Sequence, residues 1–292
     1  MNRERRIGWL TKARDTRRST RVAAIGLSLL AACVSDRALA QCTPKNTREI
    51  VQRGAIAIQS DWDAFPRFAF VERDADETSK GVAVKTHRVF MIDGTDYYMP
   101  IAVDDKPYTK EQLAQEHEKL LQEIDRRDRE TEKERQKRSD RYWKERNQNE
   151  KLLQEYTKAF NFSLVGEEVI NGYSACVLDA KPRRDYRPPN REAKILTGMQ
   201  GRLWIDDHDF HWLKAEAEVL KPVSILGVAV RIVPGTHMEL EMAPVSRSLW
   251  LASRFAVTLK TSIFWISSNH ASVTSWSGYR PAAAALADEL AR

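Results

Sequence analysis

Leu249-Trp250-Leu251-Ala252-Ser253-Arg254-Phe255-Ala256-Val257-Thr258-Leu259-Lys260 places its aliphatic and aromatic side chains two residues apart. Leu249, Leu251, Phe255, Val257 and Leu259 fall on one side; Trp250, Arg254, Thr258 and Lys260 fall on the other. A period of two is that of a strand with one face on a core and one in water. Two more segments repeat it. Leu213, Ala215, Ala217 and Val219 oppose Lys214, Glu216 and Glu218, while Met238, Leu240 and Met242 oppose His237, Glu239 and Glu241. A parallel α/β sheet, buried on both faces, would not alternate in this way. The pattern predicts one antiparallel sheet with a single apolar face.

Outward from that segment the same signals recur. Asp93-Gly94 and Asn171-Gly172 each separate two strand-like runs, the strongest short-range mark of a hairpin. Runs at 67–71, 82–92, 95–103, 160–170, 173–181, 201–205, 210–220, 236–243, 249–261 and 263–277 read as strands. About nine or ten strands exceed what a flat sheet carries comfortably, so strong curvature or partial closure is expected. Asn46 with Glu49 has the spacing of a capping box and predicts a helix to about Ser60. A short helix is expected over 191–199, and the Ala-rich segment 281–292 reads as a flexible tail, a loose helix or a frayed end.

Residues 109–158 differ in kind, with 14 Lys/Arg, 13 Asp/Glu and neither Gly nor Pro in 50 positions. Pairs such as Glu123–Arg127, Asp125–Arg129 and Asp140–Lys144 have the spacing that supports a solvated helix. Leu113, Leu120, Leu121 and Ile124 give one end an apolar face; Trp143, Leu152, Leu153 and Tyr156 do so at the other. An unbroken helix would reach about 75 Å. The block is therefore either a projecting arm or a hairpin of two helices folded over the body.

The N-terminus reads as an export signal. Arg17, Arg18 and Arg21 precede the apolar run 22–34, and Ala38-Leu39-Ala40 follows with small residues where a signal peptidase cuts. The run is too short for a membrane-spanning helix. Residues 1–40 are read as a signal peptide, 41–280 as one domain, and the compartment as the periplasm. Leu30-Ala31-Ala32-Cys33 offers the alternative of a lipobox, with Cys33 lipidated and the chain anchored to the outer membrane.

Removing the signal changes the charge. The 47 basic and 41 acidic residues give +6, but residues 1–40 hold nine basic and three acidic ones. The remainder is balanced, with no electrostatic footprint for phosphate backbones, which excludes nucleic acid as partner. Cys42 and Cys176 survive cleavage after Ala40; an oxidising compartment permits a bridge between them, and two unpaired thiols are the other reading. Asp206-Asp207-His208-Asp209 with His211 could supply metal ligands, but Asp and His runs between strands are also what turns are made of, and the turn is favoured. No HExxH spacing, CxxC pair or G-x-S-x-G elbow occurs. A non-enzymatic binding module is expected, with no cofactor and no metal.

Gly201-Arg202-Leu203-Trp204-Ile205-Asp206, followed by Phe210-His211-Trp212-Leu213-Lys214-Ala215-Glu216, forms a strand, an Asp-containing turn and a strand. With an export signal, an N-terminal helix and a long meander, this resembles the periplasmic lipoprotein-carrier superfamily (LolA/LolB-like) over about Asn46 to Arg280. The charged block 109–158 departs from the small carriers. The resemblance implies a half-open barrel whose apolar concave face, covered by helices, accepts the acyl chains of a lipid or lipoprotein. Leu203, Ile205, Leu213, Val219, Met238, Leu240, Met242, Leu251, Phe255, Val257 and Leu259 are the candidate lining. The alternative is an envelope adaptor in which 109–158 is the surface that meets a partner protein.

Overall fold

The computed structural model describes residues 42–43, 46–78, 80–226, 230–263 and 266–291. The proposed signal peptide and Cys33 lie outside them. Helix α1 (Thr47–Ala64) leads into β1 (Phe68–Thr78), β2 (Gly81–Ile92), β3 (Thr95–Val103) and the short β4 (Lys106–Pro107). Helices α2 (Lys110–Asp128) and α3 (Glu132–Ala159) follow. Then come β5 (Phe160–Ile170), β6 (Tyr173–Pro182), a 3-10 segment at Glu192–Gly198, β7 (Met199–Asp206) and β8 (Trp212–Val219). The chain continues through β9 (Val223–Leu226), β10 (Val230–Ile232), β11 (His237–Ser246), β12 (Leu249–Ile263), β13 (Ile266–Pro281) and α4 (Ala282–Leu290).

The strands make one open antiparallel sheet in the order β4-β3-β2-β1-β13-β12-β11-β8-β7-β6-β5, with β9 and β10 attached beside β12. Both anticipated hairpins form: Asp93 and Gly94 take φ of 46° and 76°, Asn171 and Gly172 51° and 86°, the left-handed conformations that a two-residue turn requires. The return of β13 to pair with β1 is the long-range step, joining the two arms of the meander.

One face of the sheet carries α1 and α3. Ile50, Val51 and Ile58 of α1 join Leu178, Leu203, Ile205, Trp212 and Trp250 in one core cluster, and Leu153 and Tyr156 of α3 pack against it. Gly54 is what lets α1 lie so close: a Cβ there would stand 2.8 Å from Ile205 Cδ1. Over β1–β3 the other face is covered instead, by α2 and α4, where Leu120 and Ala285 meet Ala69, Phe90, Ile92 and Met99. Residues 282–290 are therefore an ordered helix and not a loose tail, held by Ala285 and by Glu289, which accepts from Arg88 at 2.5 Å.

The charged block is two helices, and its hinge is legible in hindsight. Thr109 with Gln112 and Thr131 with Glu134 each form a complete capping box, so a second helix starts at Glu132. Asn46, by contrast, does not cap α1; its side chain accepts from Thr43 N–H at 2.8 Å. The α2–α3 turn straddles the β2–β3 hairpin. Buried Arg127 donates to Ile92 O (2.6 Å), Thr95 Oγ1 (2.9 Å) and Asp96 O (3.1 Å). Arg138 donates to Thr95 Oγ1 (2.7 Å) and to Glu130. From this anchor α3 touches β3 at one end and β5 and the 3-10 segment at the other, so it bridges the two arms of the sheet. Of the two arrangements expected for the block, a projecting arm or two helices folded over the body, the second is the one observed. Glu123–Arg127 and Asp125–Arg129 pair at 2.6 Å as their spacing suggests, whereas Asp140 accepts from Gln136.

This anchorage is acid-sensitive. Hydrogen bonds from Arg126, and then from Arg127, hold the Glu123 carboxyl down at about 2, against its ordinary 4.5. A depressed carboxylate stabilises the fold above its unfolded value and ceases to do so as pH falls through its folded one. Amide protection in the β2–β3 hairpin should therefore decline between about pH 4.5 and 2. Glu123→Gln should remove that segment of the acid response; an unchanged acid profile by hydrogen exchange would refute the assignment.

Candidate functional site

The face under α1 and α3 is the candidate site, and strand register fixes what lines it. Cα partners share a face, so pairs can be followed across the sheet. One row runs Leu164, Leu178, Leu203, Ala215, Leu240, Phe255, Thr274, Asp74, Lys85 and Val103. The next runs Phe162, Ala180, Gly201, Ala217, Met238, Val257, Ser272, Asp76 and Ala83. Both rows change character at the same seam. From β5 to β12 the inner face is hydrocarbon and glycine; on β13 and β1 it is hydroxyl and carboxylate, and β2 adds Lys85 and Ala83. Trp276, Glu72 and His87 continue the polar half in a third row.

Two β-bulges revise the sequence alternation. Lys214 pairs with Trp204 but Trp212 with Ile205, so Leu213 is the extra residue. Glu241 pairs with Arg254 but Met242 with Ala252, so Ser253 is the extra residue. Each bulge shifts the strand's parity by one. Trp212, Trp250 and Ala252 thereby join the inner face, and Leu213 and Leu251 drop out of its alternation, although both are 2% exposed. Leu213 still packs in the cluster that holds α1, and with Trp204, Lys214 and Glu241 it borders a depression of about 410 Å³. The two tryptophans were the residues that strict alternation could not find.

The remaining candidates divide by packing. Leu203 and Ile205 are 1% and 0% exposed and, with Met242 and Val219, are ordinary core against α1, α3 and the 3-10 segment. Met238, Leu240, Phe255, Val257 and Leu259 are only half-buried. α1 thus lies over β5, β8 and the Trp250 end of β12, while farther along β11 and β12 the half-buried Met238, Leu240, Phe255, Val257 and Leu259 keep part of their apolar surface accessible, next to the polar half.

That polar half is ordered by its own hydrogen bonds. Trp276 Nε1 donates to Glu72 Oε2 and Thr274 Oγ1 to Asp74 Oδ1, both at 2.8 Å. His87 stacks its edge against the Tyr98 ring at 5.8 Å. Burial first, and then the charge of Asp74, push the Glu72 carboxyl up to about 7. Burial also holds the His87 imidazole below its usual value. At the end of α1, Phe65, Phe70 and Tyr279 form an aromatic floor with centroids 5.0–6.2 Å apart. Arg146 of α3 lies over the Trp62 ring at 4.4 Å and donates to the Trp62 carbonyl.

The Asp-His segment between β7 and β8 is engaged elsewhere. Asp206 Oδ2 accepts from the backbone N–H of His208 (3.1 Å) and Asp209 (2.7 Å), which makes it the pivot of a turn. His211 turns inward and meets Asp61 of α1 at 2.7 Å through Nδ1. Cys42 and Cys176 form a disulfide, with Cα atoms 5.4 Å apart.

Fold and site together define an open antiparallel half-barrel bridged by a helix, its inner face divided between an apolar and a polar half. No family model matches the chain, and no curated relative does. Among solved structures it is similar to a putative outer membrane lipoprotein-sorting protein domain from Vibrio parahaemolyticus, at 11% identity and TM-score 0.36, covering 82% of this chain and 93% of that one. A DUF1329 family protein from Desulfovibrio piger matches at 10% identity and TM-score 0.32, covering 80% and 92%. A LolA superfamily protein from Nitrosomonas europaea matches at 10% and 0.29, with the same coverage.

Proposed function

We propose that this chain is a non-enzymatic envelope protein that holds an amphiphile, a lipid or a lipoprotein's acyl group, on the inner face of its sheet. The observation that carries the reading is the seam between Phe255 and Thr274, where hydrocarbon gives way to hydroxyls and carboxylates within one accessible face. An acyl chain lying on Met238, Leu240, Phe255, Val257 and Leu259 would leave water at about 0.8 kcal/mol per methylene, enough for retention without directional contacts. Its head would reach Thr274, Ser272 and Asp74. Methionine at 238 adapts to chains of differing shape. The disulfide is in keeping with an exported protein, since such bonds persist in oxidising compartments.

Titration of the purified protein with an environment-sensitive fluorescent fatty acid tests this directly. Saturable uptake is expected, and Val257→Asp should weaken it at least tenfold, about 1.4 kcal/mol, by placing a charge against the chain. Val257 is half-buried, so the fold should survive the change. No saturable uptake, or equal affinity in the variant, would discard the reading. In that case the adaptor alternative gains, with the exposed Trp143 and Leu121 of the helical block as its contact points.

A further inference from the structure

The structure assigns a divalent transition-metal site of the zinc class to Glu72, Asp74 and His87, on the polar half of the inner face. One carboxylate oxygen from each acid and one imidazole nitrogen lie within 4.8 Å of one another. Two acids and one histidine are the donor set that such ions accept, leaving positions open for water or for a guest's oxygen.

Three observations point to an ion. His87 and Glu72 are directly opposed on β2 and β1, and Asp74 is the next residue of the same face, so rigid paired backbone holds all three. His87 Nδ1 is buried and has no hydrogen-bond partner among the described residues, an arrangement that costs free energy unless something occupies it. Trp276 donates to one oxygen of Glu72 and Thr274 to one of Asp74, which orients two carboxyl groups that also face each other across a shared proton, one that a bound cation would displace. Such outer hydrogen bonds are the usual support of metal ligands.

The geometry asks for a small closure. Ligands on a shell of about 2.0–2.2 Å stand roughly 3–3.6 Å apart, so the three groups must draw in by about an ångström. Lys85, whose row neighbour is Asp74, is the cation nearest in register; the ordinary alternative is that it screens the acids as a solvated charge.

The test uses zinc on the protein stripped with a chelator. After desalting, elemental analysis should find one zinc per chain, and zinc should raise the melting temperature. His87→Ala should weaken zinc binding at least tenfold. Glu72→Gln should do the same while raising the melting temperature of the metal-free protein, because it removes the repulsion with Asp74. That opposite pair of shifts separates loss of a ligand from loss of the fold. Failure to retain zinc, or retention undiminished in both variants, would overturn the assignment. Fatty-acid uptake is measured separately, so either proposal can fail alone.

Discussion

Asp61→Ala should lower stability by about 3–5 kcal/mol, since removing one member of a buried polar pair strands the other. Asp61 is 1% exposed on α1 and serves two partners from distant parts of the chain. Oδ2 meets His211 Nδ1 at 2.7 Å, and Oδ1 accepts the Trp250 backbone N–H at 3.2 Å. A methyl group leaves a buried imidazole and a buried amide unpaired in a site that water does not readily reach. For a chain of this length each kcal/mol moves the melting temperature by about 2–4 °C, so a fall of roughly 6–20 °C is expected by calorimetry. Asp61→Asn keeps an acceptor for one partner and should cost less. A melting temperature within about 2 °C of the parent for Asp61→Ala would show that this pair does not tie α1 to the sheet.

That pair also marks where sequence reading stopped. The strands and both Gly-containing hairpins were legible because side-chain period and turn chemistry are local. The two bulges were not: nothing in Leu213 or Ser253 announces an extra residue, and one slip moves a tryptophan from one face to the other. Asp61 and His211 are 150 positions apart, and only the folded chain makes them neighbours. Thr131 and Glu134 were a readable signal of the break between α2 and α3, submerged in a block of charges. Segment 281–292 offered helix-forming alanines but no sign of what would hold them; its order comes from a surface on β1–β3 that a reading of the tail alone does not see. The seam across the inner face depends on β13 pairing with β1, a contact across some 200 residues. The acids and histidine of β1 and β2 were each visible in sequence, yet they acquire meaning only from that register.

Cys42→Ser combined with Cys176→Ser should destabilise the protein by about 2–5 kcal/mol, the range for loss of a native disulfide. The bond spans 134 residues, and it ties the chain just before α1 to the second strand in from the β5 edge. In the chain-entropy account a closed loop of that length restricts the unfolded state more than a short one would. Both sulfurs are buried in the cluster under α1, so the double variant also places two hydroxyls among Val177, Ile205 and Phe210. The effect should concentrate on α1, whose N-terminal turn has no side-chain cap of its own. Hydrogen exchange should therefore show faster opening over 47–55 than over β12 and β13 at equal denaturant. Reduction of the parent protein should lower its melting temperature too, though less than the double variant, because thiols are less polar than the serine hydroxyls. A double variant that melts with the oxidised parent would mean that packing under α1 alone holds the N-terminal helix. If the inner face is where a guest binds, loosening α1 should also raise access to Leu240 and Ala252, which pack against its cluster, and so change the rate of fatty-acid uptake more than its equilibrium.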